Sequence, residues 1–148
     1  MVDRATQYAQ DVVAGRVVAG RLVRLACARH LRDIDQAEAK GLLWDVQASE
    51  DVIDFFATVL CLPEEADADE EPDEDAAPVD GQPFVLSPFQ AFIAGSLMGW
   101  HTVKNGRTRR RFRIGYIETG KGSGKTPLCA GLLIYLAFTG GAGGQYFA

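Results

Sequence analysis

The run Glu118-Thr119-Gly120-Lys121-Gly122-Ser123-Gly124-Lys125-Thr126 holds the residue types best suited to chemistry. Alternating glycines let successive backbone N–H groups turn toward one point, where side chains would otherwise block an anion. Lys125 would reach the β- and γ-phosphates of a nucleotide and act as the catalytic cation. Thr126 would hold Mg²⁺ through its hydroxyl. The apolar run from Pro127 to about Phe138 reads as a helix whose first amides would face the same anion. A strict G-x-x-x-x-G-K-[ST] pattern needs glycine where Thr119 stands. Gly120, Gly122 and Gly124 supply the backbone freedom instead, and Lys121 adds a second charge. The candidate site is therefore Thr119 to Thr126, and its ligand ATP with Mg²⁺. The plain alternative is a Gly-rich surface turn that happens to precede a helix. Gln90 is a further candidate, for an adenine edge. Its simpler task is a capping box with Ser87.

The elements that must position this loop follow from periodicity. Arg111 and Arg113 alternate with Phe112 and Ile114, and the run continues through Tyr116 and Ile117, so a strand is expected just before the loop. Asn105-Gly106 marks a turn. Ser87-Pro88-Phe89-Gln90 is a helix start, and the helix runs to about Gly99. Trp100 is assigned to the core. Residues 4–33 read as one long helix, with Gly15 and Gly20 as points of a kink or close contact. A helix over 46–61 is capped by Asp45, and its stripe of Val52, Phe55, Phe56, Val59 and Leu60 is expected to pack on the first helix. The fold class expected is α/β. A helical lead-in (1–62) and an acidic loop or insert (63–83) precede the start of a P-loop NTPase parallel-sheet domain (84–148).

The net charge of −5 over 148 residues averages unlike parts: −2 over 1–60, −10 over 61–100 and +7 over 101–148. The acidic stretch has almost nothing to bury. Arg107, Arg109, Arg110, Arg111 and Arg113 could bind a phosphate backbone or pair with that acidic stretch. The arginines of the first helix read as a solvated face or a phosphate-contacting one. Cys27, Cys61 and Cys129 are far apart, odd in number and set among apolar residues, so buried thiols in a reducing compartment are expected. No apolar stretch approaches a membrane span, and the N-terminus lacks the order of a signal peptide.

A P-loop ATPase also needs an acidic residue on a second strand and a residue to polarise water. Neither is found after Thr126, and residues 145–148 look like the start of a strand. The chain thus reads as the front end of a larger protein, without the Walker B acid, the catalytic glutamate or any nuclease residues.

The order of these parts resembles the large, ATPase-bearing subunit of tailed-phage terminases. The matching stretches are Tyr8 to Gly15, Arg29-His30-Leu31, Leu86 to Gln90, Phe92 to Trp100, Arg111 to Arg113, Tyr116 to Glu118 and Gly120 to Leu128. The resemblance implies an ATPase domain whose parent hydrolyses ATP to drive DNA into a procapsid. It implies a phosphate loop that tolerates Thr119 and Lys121, and Gln90 near the adenine. It implies double-stranded DNA, the portal and the small terminase subunit as partners, or the remainder of a split large subunit, in the cytoplasm of a bacterial host. The alternatives are a nucleotide-binding or assembly protein without turnover, or a non-functional prophage remnant.

Overall fold

The computed structural model describes residues 2–62 and 81–140. Ten elements follow in order: α1 (Arg4–Val13), α2 (Arg21–Asp35), β1 (Leu42–Trp44), α3 (Val46–Val59), β2 (Cys61–Leu62), β3 (Gln82–Pro83), α4 (Pro88–Gly99), β4 (Trp100–Lys104), β5 (Arg107–Arg110) and α5 (Lys125–Thr139).

The expected single helix over 4–33 is two. Gly15 takes φ +76°, a left-handed value that stops α1, and the chain restarts at Arg21. Asp3 caps α1 by accepting from the Thr6 amide, and Asp45 caps α3 by accepting from the Ala48 amide. Ser87 and Gln90 form the complete capping box of α4.

The α4 helix is apolar on every side, which suits a helix buried all round. On one side it joins Val52, Ile53 and Phe56 of α3, Phe84 and Leu86 before it, and Leu128 and Leu132 of α5. On the other, Phe92 meets Ala5, Tyr8, Ala9 and Val12 of α1 and Cys27 of α2. The α3 stripe therefore packs on α4 and α5 rather than on α1. Gly95 is where α1, α3 and α4 converge: a Cβ there would crowd Ser49 and the Ala5 methyl. Gly131 lets α5 lie against the Phe56 ring and Leu60. Gly131→Val is expected to cost about 1–3 kcal/mol through overpacking. A thermal melt of the variant checks this, and an unchanged Tm would count against that packing.

Both sheets are antiparallel. One has the order β1-β4-β5 and the other pairs β2 with β3. The expected parallel P-loop sheet is thus overturned. Asn105 (φ 52°) and Gly106 (φ 71°) both adopt left-handed values and make a two-residue turn. That turn joins β4 and β5 as a local hairpin, with no crossover. The strand expected over 111–117 is not formed. Arg111 is drawn to Asp33, the Arg29 and Arg111 guanidinium groups both lie over the Phe112 ring, and Ile114 and Tyr116 are exposed. The strand expected over 145–148 and most of the acidic insert lie outside the described residues. Of the cysteines only Cys27 is buried; Cys61 and Cys129 are exposed, contrary to expectation.

No helix among the described residues is long and apolar enough to cross a membrane.

Candidate functional site

The Gly-rich loop folds as a self-contained turn ahead of α5. Gly122 (φ +80°) and Gly124 (φ +70°) give it left-handed corners. Lys125 Nζ folds back and donates to the carbonyls of Thr119 (2.6 Å) and Gly120 (3.0 Å). The Thr119 and Ser123 hydroxyls lie 2.5 Å apart, and Ser123 Oγ donates to the Gly120 carbonyl at 2.8 Å. Lys121 and Thr126 are exposed. Gln90 is buried and its carboxamide is engaged at both ends. Its oxygen accepts from the Ser87 amide (3.0 Å) and hydroxyl (2.8 Å), and its Nε2 donates to the Ser123 carbonyl at 3.3 Å. The structure thus places Gln90 against the loop at Ser123.

The surroundings do not match the expectation. No strand precedes the loop and no parallel sheet supports it, so the architecture that makes a Walker A loop a nucleotide site is missing from the described residues. The reading as the ATP-binding front end of a packaging motor is corrected on that ground. No group of three His, Cys, Asp or Glu side chains that could hold a metal occurs among the described residues.

A second cluster lies at the junction of α1, α2, β1 and β4. His30, on α2, is 3% exposed. Its Nδ1 accepts from Trp100 Nε1 at 3.0 Å, and its Nε2 faces Thr6 Oγ1 at 3.0 Å. Because Nδ1 is an acceptor, the ring is the neutral Nε2–H tautomer and donates to Thr6. Trp44, Phe92 and Trp100 all stand edge-on or tilted around it, with centroids at 4.6, 5.6 and 5.6 Å. Burial pushes its pKa from 6.5 down to about 4. Asp3 and Asp33 pull it upward, but by less, and Arg29 and Arg111 push it further down. Next to it, the buried Asp33 carboxylate takes Lys40 (2.6 Å) on one oxygen and Arg111 (2.8 Å) on the other. Burial raises the Asp33 pKa, but the two cations outweigh it and hold the group below its usual value. Asp33→Ala is expected to cost about 3 kcal/mol by leaving Arg111 half-buried without a partner. It falls at the low end of such losses because Lys40 stays solvated. A urea titration reads this directly. His30 and Asp33 escaped the sequence reading, since nothing in their spacing announces that they meet Trp44, Trp100 and Arg111.

The third feature is the hairpin. Residues directly opposite on paired strands share a face. Thr102 stands opposite Arg109 and Lys104 opposite Arg107, so Lys104, Arg107 and Arg109 crowd one face of the distal half. All four residues of β5 are exposed. None of Lys104, Arg107, Arg109, Arg110 and Arg113 has a carboxylate partner among the described residues. The proximal half is different. There Trp100 is buried, and Arg111 donates its amide to the Trp100 carbonyl while its side chain is neutralised by Asp33. The aromatic cluster therefore anchors a ribbon whose far end carries free positive charge.

No family model, curated protein or solved structure matches the chain, so the terminase resemblance gains no support from relatives.

Proposed function

We propose that this domain binds the phosphate backbone of double-stranded DNA through the distal half of the β4–β5 hairpin. The observation that carries the reading is Lys104 set directly opposite Arg107, with Arg109 beside them. Like charges opposite one another weaken a strand pair. A surface that keeps this repulsion, with no acid beside it among the described residues, is matched by a polyanion that relieves it. Residues two apart on a strand are about 6.6 Å from each other. Arg109 lies one such step from the Lys104–Arg107 pair, so the charge runs along the ribbon, which suits a chain of phosphates. A two-stranded ribbon also fits the major groove of a duplex. Single-strand binders use exposed aromatic rings as stacking platforms, and the distal hairpin carries none.

The contacts are to backbone, so binding is expected to be indifferent to sequence and steep in salt. Three to five cations give a slope of log K against log salt of about −2.7 to −4.5. Fluorescence anisotropy with a short labelled duplex at several salt concentrations measures it. A slope near zero, or no binding at low salt, would overturn the proposal.

A further inference from the structure

We infer that the cleft between the end of α1 and the outward side of α2 docks an acidic, amphipathic peptide segment of another protein. The cleft is lined by Val13, Arg21, Arg24, Leu25 and Ala28 and has a volume of about 470 Å³. Its neighbourhood exposes more large apolar surface than a solvated helix needs. Leu22 is 77% exposed, Leu25 55%, Val13 50% and Val18 fully. Val13 and Leu25 line the cleft together, and apolar surface rimmed by charge on a folded domain marks a contact site.

The rim gives the partner its charge. Arg21 and Arg24 have no carboxylate partner among the described residues, and Arg24 Nε donates to the Ala19 carbonyl at 2.8 Å. The first turn of α2 holds no acid, and nearby Asp11 is already paired with Arg16. An occupant with an apolar anchor for Val13, Leu25 and Ala28 and carboxylates on either side satisfies both parts of the cleft. That is the helix-in-groove mode, in which an apolar stripe seats and flanking charges fix the register.

Other occupants fit less well. A second copy would bring the same basic rim to face this one, because a two-fold interface repeats one patch on both sides. A duplex backbone offers nothing to the apolar floor. An anionic membrane presents a flat surface to a concave one. The chain's own acidic stretch from Glu64 to Asp80 has Val79 as its one large apolar residue and so offers no apolar stripe. It lacks the anchor.

The test uses the full chain and two fluorescent peptides of the same composition. One is a helix with leucines at i, i+3, i+4 and i+7 flanked by glutamates; the other is its scramble. The amphipathic peptide is expected to bind at least tenfold tighter than the scramble. Leu25→Ser and the pair Arg21→Ala with Arg24→Ala are each expected to weaken it about tenfold, roughly the 1.4 kcal/mol of one anchor. Leu25 and both arginines are exposed, so circular dichroism of the variants should be unchanged. Equal binding of the two peptides, or binding of neither at about 1 mM, overturns the inference. So does binding that is indifferent to Leu25→Ser. Phosphatidylserine vesicles and sedimentation of the chain alone form the remaining arms. Vesicle binding or self-association that is lost in Leu25→Ser, without peptide binding, assigns the cleft to a membrane or a second copy and overturns it too.

Discussion

Replacing Lys104, Arg107 and Arg109 together by glutamine is expected to weaken binding to duplex DNA by about 10²- to 10³-fold at about 0.1 M salt. Each phosphate contact releases close to one counterion, so each lost cation is worth about 0.9 of a decade at that concentration. The salt slope should become shallower by about 2.7 for the same reason. Arg110 keeps a charge on the edge strand β5, which guards it against pairing with another chain. The fold should be unaffected or slightly firmer, because the repulsion between Lys104 and Arg107 is gone. A matched control removes three charges from α2 at Arg21, Arg24 and Arg32. Those three sit on α2 and not on the hairpin, so that variant should lose less than about threefold if the site is the hairpin. Equal losses from the two triples would show a diffuse field rather than a hairpin site, and the proposal would fall.

The second large effect is a loss of stability on mild acidification. His30 is buried neutral, with its pKa lowered from 6.5 to about 4. Between those values the unfolded chain takes up a proton that the folded chain refuses. Stability is therefore fully present above pH 6.5, falls as pH drops through that value, and stops falling near pH 4. The depth is of order 3 kcal/mol, the free energy of a shift of that size. Geometry explains the refusal. A proton on Nδ1 would point at the Trp100 N–H, two donors facing each other at 3.0 Å. Asp33 acts in a separate window. Its pKa is lowered, so its contribution is present above the ordinary carboxylate value of 3.8 and is lost as pH falls through the still lower folded value. Urea midpoints measured from pH 7 to 4 should show the His30 slope, and His30→Gln should flatten it while costing about 1–3 kcal/mol at pH 7. A wild-type midpoint that does not move between pH 6.5 and 4.5 would falsify this account of the cluster.

Local features of this fold are legible in the sequence and long-range ones are not. The Asp45 cap, the Ser87/Gln90 box and the Asn105-Gly106 turn are each decided within a few residues, so the chain states them outright. The contact of Gln90 on α4 with Ser123 of the loop, 33 residues on, has no such local signal. Neither has the sheet. Arg111 and Phe112 alternate like strand residues, but a buried carboxylate far off in sequence, Asp33, takes the arginine. The side chain that should have continued a strand instead closes an ion pair. The glycines of the loop likewise gave the turn correctly. A phosphate site, however, is a property of the sheet behind such a turn, and the sheet here is antiparallel. His30 shows the same limit. A lone histidine on an amphipathic helix carries no mark of two tryptophans arriving from elsewhere in the chain.

Those two tryptophans are the only ones in the sequence. Their rings lie 5.1 Å apart, and both contact the same imidazole. The tryptophan emission of the protein therefore comes from a single locus, with the two indoles close enough to couple electronically. A melt followed by selectively excited tryptophan emission reports the α1–α2–β4 junction and not the Phe56–Leu132 cluster beneath α5. Ellipticity follows every helix at once. Any gap between the two curves measures how far one half of this small domain can loosen while the other half holds.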